Sequence, residues 1–263
     1  MQDLSVTLIQ TELHWHQPEA NRAMLEEKLW QIAEPTDVIM LPEMFTTGFT
    51  MQAKENAEVA RTTTLKWMQQ MAKQKNAVIT GSYIVQEKGQ YYNRLLWVKP
   101  DGTYQQYDKR HLFRMANEHE HYSAGSARLI CEWKGWKICP LICYDLRFPV
   151  WSRNQATENA LAYDLLLYVA NWPAARQQAW DVLLPARAVE NLCFALGVNR
   201  VGEDGNGIAY TGGSAVYGFK GDTLWLQHTS EAIKTITLSG DELEQYRQKF
   251  PAQLDADKFK LID

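Results

Sequence analysis

The sequence predicts an α/β protein whose sheets are covered by helices. Strand-like and helix-like segments alternate from residue 4 to about residue 238. Several strand-like runs, such as 37–41 and 164–170, are apolar throughout, which is typical of strands that face no water on either side. No Gly/Ser-rich linker and no repeat interrupts this alternation. We therefore predict a single domain over residues 1–263, with its core at about 4–238 and a C-terminal helix and tail at 239–263.

The N-terminal half predicts strands and helices in alternation, ending in hairpins. Pro18 suits the first turn of a helix, because it lacks the N–H that is unsatisfied there. Apolar residues at a spacing of three or four indicate one buried helix face. In chain order, the predicted elements of this half are a strand from Leu4, a helix from Pro18 with Leu25, Leu29 and Ile32 on one face, a strand at 37–41, a helix with Leu65, Met68 and Ala72 on one face, and strands at 77–86, 91–99 and 103–107.

The C-terminal half begins with a polar segment, 108–127, that has little periodicity. We predict a long loop there, and loops of this length in compact domains are often functional. Ser239 opens a sequence typical of a capping box, which predicts a last helix. The tail from about residue 251 is predicted to be poorly packed or bound to a partner. The remaining predicted elements are strands at 128–133, 136–142 and 164–170, a helix at 176–192, and strands near 193–201, 213–219, 223–228 and 232–238.

Composition and charge argue against several classes of protein. The chain has 263 residues, is 46% hydrophobic, and carries 27 basic and 31 acidic side chains, for a net charge of −4. A slightly acidic chain without a basic run is not expected to bind nucleic acid. The longest apolar run, 165–170, is far shorter than the roughly 18 residues of a membrane span, so we expect no membrane partner. The N-terminus resembles no secretory signal, and we expect a cytoplasmic protein.

Four cysteines are present, Cys131, Cys139, Cys143 and Cys193, and none of them forms a CxxC pair. We expect reduced thiols rather than disulfides, because nothing in the sequence indicates export. A zinc knuckle is not predicted, since its ligand spacing is absent. One of the four thiols is a candidate for chemistry, and its local sequence decides which.

Glu43 is the first candidate for chemistry, within the run LPEMF at 41–45. It follows an apolar strand, and open α/β sheets bind their ligands at such strand ends. A partly desolvated carboxylate suits a general base. Taken alone, the residue fits a turn or helix-capping acid better than a general base.

Lys109 is the second candidate, within YDKRHLF at 107–113. In a dry cleft, a lysine ammonium stabilises a developing oxyanion. Taken alone, the segment fits a basic surface patch better than a catalytic lysine. Further along, EHEH at 118–121 alternates Glu and His, but a stable metal site needs three or four ligands and no others are evident. We therefore predict no metal site.

Cys143 is the third candidate, within ICYDLRFP at 142–149. A strand that ends in Cys and is followed by polar residues and a helix-starting Pro has the form of a nucleophile elbow, which leaves the next backbone N–H, that of Tyr144, free. The alternative is a buried core cysteine, the interpretation we give to Cys139. A Cys–His nucleophile pair is also open at this stage, with His111 or His119 as its base.

The three motifs, in this order, resemble the nitrilase or carbon–nitrogen hydrolase superfamily. The segments FTTGF at 45–49 and RFPVWSRN at 147–154 look like its omega-amidase branch, whose members cleave 2-oxoglutaramate to 2-oxoglutarate and ammonia. The resemblance implies a four-layer αββα sandwich of two mixed sheets covered by helices, and a homodimer formed across a helix layer. It implies no cofactor.

The same resemblance implies roles for the candidate residues. Glu43 is expected to be the base, Cys143 the nucleophile and Lys109 the stabiliser of the intermediate, with the backbone N–H of Tyr144 as second oxyanion donor. Glu118 lies seven residues before Gly125 and matches a second family glutamate, which is expected to orient Lys109 or the substrate.

The substrate is expected to be a small amide that carries a distal carboxylate. Arg176 is the candidate cation for that carboxylate, with a surface arginine as the alternative reading. Phe113 and Trp172 are candidate pocket walls, although core packing explains either aromatic equally well. Two other functions remain open: another nitrilase-type reaction, such as that of an aliphatic amidase, an N-carbamoyl amidohydrolase or a nitrilase, and a catalytically silent scaffold or binding protein.

Overall fold

The structure is a computed structural model that describes residues 1–157 and 160–261. Residues 158–159 and 262–263 of the predicted domain lie outside the described residues. The strands are β1 (Leu4–Gln10), β2 (Val38–Met40), β3 (Glu58–Val59), β4 (Val78–Glu87), β5 (Gln90–Val98), β6 (Tyr104–Asp108), β7 (Cys131–Trp133), β8 (Trp136–Ile142), β9 (Ala156–Thr157), β10 (Ala160–Leu161), β11 (Leu165–Val169), β12 (Phe194–Val198), β13 (Val201–Glu203), β14 (Ala209–Thr211), β15 (Ser214–Tyr217), β16 (Thr223–Gln227) and β17 (Ala232–Leu238).

Helices connect and flank these strands, and short 3-10 turns follow several of them. The α-helices are α1 (Pro18–Trp30), α2 (Ala53–Asn56), α3 (Thr63–Lys75), α4 (Glu118–His121), α5 (Pro149–Ser152), α6 (Gln177–Asn191) and α7 (Gly240–Lys249). The 3-10 turns are Arg114–Ala116, Cys143–Arg147, Ala174–Arg176 and Ala252–Asp255. Within the described part of the chain, no helix combines the length and the apolar character that crossing a membrane requires.

Two large mixed sheets form the centre of the molecule. The first has the strand order β17-β1-β2-β4-β5-β6, with β3 added to β4. The second has the order β16-β15-β12-β11-β8-β7, in which β8, β11 and β12 run parallel. The parallel strands bring their carboxyl ends to one edge, and chemistry in α/β proteins is commonly placed at such an edge.

The core lies between the two sheets and beneath the helices. Leu8 and Trp97 of the first sheet belong to the same buried cluster as Leu141 and Leu167 of the second, which places the sheets face to face. A separate cluster packs α1 and α3 against the other face of the first sheet. This arrangement matches the period-2 pattern of β1, whose successive side chains point to opposite faces. Both faces of the first sheet are therefore covered.

Helix α6 supplies the fourth layer, on the outer side of the second sheet. Trp180 and Leu184 of this helix pack closely on β12, because Gly197 has no side chain there. A Cβ at Gly197 would lie 2.4 Å from Cζ2 of Trp180, so only glycine permits this approach. The structure confirms the predicted four-layer αββα arrangement with two mixed sheets covered by helices.

The element predictions differ from the structure mainly in the loops. The predicted strand 193–201 is two strands, β12 and β13, and β13 pairs with β14 in a separate hairpin. The break falls at Asn199, whose Nδ2 donates to the carbonyls of Trp172 (3.0 Å) and Gly212 (2.6 Å). The predicted loop 108–127 contains a 3-10 turn and α4. Ser239 caps α7 as predicted, since its Oγ accepts from the N–H of Glu242 at 3.3 Å.

Candidate active site

Three strand exits bring an acid, an amine and a thiol to one place. Glu43 lies just after β2, Lys109 just after β6 and Cys143 directly after β8. The ammonium Nζ of Lys109 is 2.9 Å from Oε1 of Glu43 and 3.0 Å from each carboxylate oxygen of Glu118. Cys143 is only 8% exposed, yet it lines the same cavity as Lys109. Of the four side chains predicted to carry the chemistry, Lys109 and Cys143 therefore line one cavity, and Glu43 and Glu118 contact Lys109.

The carboxylate of Glu43 is fully buried, and both of its oxygens accept hydrogen bonds. Oε1 accepts from Nδ2 of Asn93 at 2.8 Å as well as from Lys109, and Oε2 accepts from the backbone N–H of Asn171 at 2.9 Å. The side chain of Asn171 also donates to the backbone carbonyl of Glu43. These donors replace water around the carboxylate and fix its orientation, because a buried charge is tolerated only where it is paired and hydrogen-bonded.

Lys109 and Glu118 form a buried ion pair in which each side chain is at most 1% exposed. Burial alone would lower the pKa of Lys109, but the carboxylates of Glu118 and Glu43 outweigh it and raise that pKa above its ordinary value. Burial raises the pKa of Glu118, and the ammonium of Lys109 offsets part of this effect. Lys109 is consequently a cation at neutral pH.

Cys143 occupies a strained turn between β8 and the 3-10 turn that follows. Its φ is +41°, in the left-handed region that non-glycine residues seldom adopt, which is typical of a nucleophile at a sharp strand-to-helix turn. The thiol donates to the carbonyl of Asn171 at 3.8 Å. Burial and then the charge of Glu43 raise the pKa of the Cys143 thiol well above its ordinary value, and Lys109 offsets part of this. The raised pKa favours the protonated thiol at neutral pH.

Asp145 holds this turn against the end of β6. It is fully buried, and its two oxygens accept from the backbone N–H of Ile142 (3.1 Å), the hydroxyl of Tyr107 (2.7 Å) and the backbone N–H of His111 (3.0 Å). Because Tyr107 and His111 flank Lys109 in sequence, one carboxylate ties the turn of Cys143 to the segment that carries Lys109.

The cavity above the thiol has a volume of about 270 Å³. This lies slightly below the roughly 300–1,000 Å³ of pockets that hold drug-sized ligands, so the space suits a small molecule. Aromatic and apolar side chains form most of its wall, interrupted by one lysine, two arginines and two asparagines. The lining residues are Phe49, Met51, Lys109, Phe113, Met115, Ala116, Cys143, Tyr144, Arg147, Asn171, Trp172, Pro173, Arg176, Asn206, Ile208 and Tyr210.

The three residues predicted to contact substrate all line this cavity. Trp172 is 2% exposed, and its indole N–H donates to the carbonyl of Arg176 at 2.8 Å. The guanidinium of Arg176 lies 5.2 Å from the ring centre of Phe113, within cation–π range. Tyr144 is the second residue of its 3-10 turn, where backbone N–H groups have no partner within the helix.

The two histidines considered as alternative bases do not line the cavity. His111 places Nδ1 2.8 Å from Oδ1 of Asp145, and its ring stacks on Phe148 at 3.8 Å. His119 is exposed, and Glu120 is its nearest acid at 4.0 Å. The geometry thus favours Glu43 over either histidine as the partner of the thiol. Among residues 1–157 and 160–261, no group of three or more His, Cys, Asp or Glu side chains is placed to hold a metal ion.

The arrangement is suited to attack by sulfur on an unsaturated carbon. A carboxylate near the thiol can take its proton, and the product thiolate is the nucleophilic form. The ammonium and the free backbone N–H beside the sulfur can stabilise an oxyanion. These features define a class of enzymes that form a covalent intermediate on cysteine.

Comparison with known proteins identifies the family. A family model described as carbon–nitrogen hydrolase matches residues 5–248. The chain belongs to the carbon–nitrogen hydrolase family and is an enzyme that hydrolyses carbon–nitrogen bonds, as the three sequence motifs predicted.

The resemblance to the omega-amidase branch is also confirmed. The chain is 49% identical over 262 residues to the omega-amidase YafV of Escherichia coli K12, covering 99% of this chain and 100% of that protein. It is 30% identical over 250 residues to the 2-oxoglutaramate amidase of Bacillus subtilis, covering 94% and 95%. The crystal structure of XC1258 from Xanthomonas campestris, a CN-hydrolase superfamily protein with an arsenic adduct in its active site, superposes with a TM-score of 0.97 at 47% identity, covering 99% of this chain and 100% of that one.

The sequence did not predict the asparagines at this site or the second arginine of the cavity. Asn93 lies in the middle of β5, where the polar residue gives no signal that it faces a buried acid. Asn171 stands at a strand exit, a position that could have marked it. Arg147 lies within a motif that was recognised, but its place in the cavity wall depends on the course of the 3-10 turn.

Proposed function

We propose that the protein hydrolyses the terminal amide of small omega-amides of 2-oxo acids, converting 2-oxoglutaramate to 2-oxoglutarate and ammonia through a thioester on Cys143. The observation that carries this proposal is that Lys109 and Cys143 line one small cavity, while Glu43 lies 2.9 Å from the ammonium of Lys109. The names of the relatives in Escherichia coli and Bacillus subtilis support the choice of substrate.

The reaction begins when Glu43 takes the thiol proton and the sulfur of Cys143 attacks the amide carbon. The carbonyl oxygen becomes an oxyanion beside the ammonium of Lys109 and the backbone N–H of Tyr144. One such donor typically contributes about 3–4 kcal/mol to the transition state. Collapse of this intermediate breaks the carbon–nitrogen bond, and Glu43 returns its proton to the departing nitrogen, which leaves as ammonia.

The second half of the reaction repeats these steps with water. Glu43 takes a proton from a water molecule, and the resulting hydroxide attacks the thioester carbon. The same donors hold the second oxyanion, and its collapse releases the carboxylic acid and the sulfur, which recovers the proton. Glu118 does not react in this scheme. It holds the ammonium of Lys109 through both of its oxygens at 3.0 Å and so acts as a positioning residue.

Arg176 is proposed to bind the carboxylate of the substrate, while Phe113 and Trp172 form the walls beside it. The guanidinium offers paired N–H donors that match a carboxylate. If this assignment holds, Arg176→Ala raises KM for 2-oxoglutaramate without changing kcat. An unchanged KM would remove Arg176 from the site.

The proposal is tested by ammonia release from 2-oxoglutaramate. Cys143→Ala and Glu43→Gln are expected to lower kcat by at least about 10³-fold, because nucleophile and base act as one unit. Cys139→Ala is the matched control, since that cysteine is buried in β8 away from the cavity, and it should retain activity. A rate near that of the wild type in either active-site variant would refute the mechanism. A higher kcat/KM for nitriles or N-carbamoyl acids than for the keto-amide would refute the substrate.

We also propose that the protein is a homodimer and that it works in the cytoplasm. Exposed apolar residues on and beside the outer helix layer support the proposal of a dimer; they are Val182, Val189, Phe250 and Leu254.

The state of the cysteines supports the proposal of a cytoplasmic location. All four cysteines are free and buried, which suits a reducing compartment. Light scattering at micromolar concentration tests the dimer, and cell fractionation tests the location.

A further inference from the structure

The methionine at the rim of the cavity differs from the other methionines of the chain in its exposure. Met115 is 75% exposed, and it lines the cavity from the 3-10 turn Arg114–Ala116. Four of the other seven methionines are completely buried and three are half-buried. A dissolved reagent therefore reaches the sulfur of Met115 more easily than that of any other methionine.

The sulfur of Met115 contacts a guanidinium group of the same cavity. Nη2 of Arg176 lies 2.7 Å from Sδ of Met115, and the guanidinium lies 5.2 Å from the ring centre of Phe113. A thioether sulfur is only a weak hydrogen-bond acceptor. Among the described residues, the ion pairs formed by arginines do not include Arg176. The N–H donors of its guanidinium are therefore engaged only weakly by the protein and remain available to a ligand.

Oxidation of the sulfur changes this weak contact into a strong one. When hydrogen peroxide reacts with a thioether, a lone pair of the sulfur attacks one peroxide oxygen, a sulfur–oxygen bond forms and the oxygen–oxygen bond breaks. The sulfur gives up two electrons, and the second oxygen takes them and leaves as water with both hydrogens of the peroxide. The product is methionine sulfoxide, which is polar where methionine is apolar. Its oxygen carries a partial negative charge and accepts hydrogen bonds strongly.

We propose that Met115 is a redox modification site, and that its oxidation to the sulfoxide by peroxide blocks Arg176 and weakens substrate binding. The inference rests on the proposed function, in which Arg176 binds the carboxylate of the substrate. The new oxygen is attached to the atom that already lies 2.7 Å from Nη2. Because the methionine side chain is unbranched and flexible, this oxygen can reach the guanidinium without movement of the backbone. It then competes with the carboxylate for the same donors.

Cys143 is the competing target of peroxide in this cavity. It is 8% exposed, and burial raises the pKa of its thiol, so little of the reactive thiolate is present at neutral pH. The two oxidations also differ in their effects on the reaction. Oxidation of Cys143 removes the nucleophile and lowers kcat, and dithiothreitol reverses the sulfenic acid. Oxidation of Met115 leaves the nucleophile in place, and its reversal needs methionine sulfoxide reductases, one for each epimer.

The test measures KM and kcat before and after oxidation in the wild-type protein and in two variants. Each protein is treated with hydrogen peroxide and then with dithiothreitol, and peptide mass spectrometry measures the oxygen added to Met115. Ammonia release from 2-oxoglutaramate gives KM and kcat. Met115→Leu has an apolar side chain of similar size without sulfur. Met51→Leu is the matched control, because Met51 is half-buried in the wall of the same cavity and Met115 stays in place.

In the wild-type protein and in Met51→Leu, oxidation of Met115 is expected to raise KM by about 3- to 10-fold and to leave kcat unchanged. This factor corresponds to the loss of roughly one hydrogen bond between substrate and protein. Treatment with both methionine sulfoxide reductases should return KM to its starting value. In Met115→Leu, KM should be the same before and after peroxide.

Three results would overturn the inference. They are the absence of added oxygen on Met115 under conditions that oxidise free methionine, an unchanged KM in protein whose Met115 is fully oxidised, and an equal rise of KM in Met115→Leu. Untreated wild-type protein tests the function on which the inference rests. If it released no ammonia from 2-oxoglutaramate, the proposed function would fail and the inference with it, whereas an active enzyme with an unchanged KM after oxidation would overturn the inference alone.

Discussion

Replacing Lys109 by methionine removes a buried cation and leaves its two carboxylate partners in place. The three side chains are between 0% and 1% exposed, and the ammonium lies 2.9–3.0 Å from oxygens of Glu43 and Glu118. Methionine has a similar length, so Lys109→Met changes the charge far more than the packing. Two buried carboxylates then face each other without a counterion.

Breaking a buried ion pair by removing one partner costs about 3–5 kcal/mol. Because Lys109 is paired with two acids, we expect the free energy of unfolding to fall by an amount near the upper end of this range. For a chain of this size, that corresponds to a decrease of roughly 10–20 °C in Tm. Glu118→Gln should cost less, about 1–3 kcal/mol, because Lys109 keeps Glu43 as its partner. The double variant that combines Lys109→Met with Glu118→Gln should be at least about 1 kcal/mol more stable than the sum of the two single effects predicts. In this variant only Glu43 remains charged, so the repulsion between the two carboxylates is gone.

Urea unfolding at pH 7, followed by tryptophan fluorescence, measures these differences in free energy. Because the pKa of Lys109 is raised in the folded state, its contribution is fully present below the unfolded value of about 10.4 and is lost only as the pH rises through the folded pKa. The decrease in the free energy of unfolding caused by Lys109→Met should therefore be the same at pH 7 and pH 9. A loss below about 1 kcal/mol, or a strictly additive double variant, would refute this account of the buried cluster.

Three further predictions concern the segments around the thiol. Since the pKa of Cys143 is raised, its alkylation by iodoacetamide should quicken by about tenfold per pH unit from pH 7 to 9, and a plateau below pH 8 in mass spectrometry would contradict this. Gly125→Ala should lower kcat sharply, because a Cβ there would lie 2.1 Å from the carbonyl oxygen of Asp108. Gly89→Ala strains a turn at φ +79° but meets no atom within 4 Å, so it should cost some stability and leave kcat unchanged. Asp145→Ala should reduce the free energy of unfolding by roughly 2–6 kcal/mol in a urea titration, because buried donors lose their acceptor; a loss below 1 kcal/mol would contradict this.

The layers of the fold were predictable because they depend on local periodicity. The helix from Pro18 and the strand ending at Ile142 were both evident in the sequence, and the structure has them at those bounds. The pairing of β13 with β14 was not evident, since it depends on Asn199 bonding to carbonyls distant in sequence. Short helices in the segment 108–127 were missed for the same reason: α4 is four residues long and is held by tertiary contacts of Glu118.

The site was predictable only where strand exits carry reactive residue types. Glu43, Lys109 and Cys143 stand at such exits, and a shared motif order connects them. Asn93 donates at 2.8 Å to Glu43, although it lies 50 positions away in the middle of a strand, where no local pattern reveals its neighbour. Contacts of this kind are set by the register between strands, which a single sequence does not contain.

The pKa directions at the base of the cavity restrict which group can act as base. Lys109 has a raised pKa and stays protonated through the neutral range, so it has no lone pair with which to take a proton. The Cys143 thiol also has a raised pKa, so a free thiolate does not accumulate before substrate binds. In the proposed reaction, Glu43 would take the thiol proton, so the negative charge would move from oxygen to sulfur and the net charge of the cluster would not change. A low-dielectric site favours such a transfer over one that creates new charge, which is why the mechanism couples deprotonation to attack and assigns it to the carboxylate.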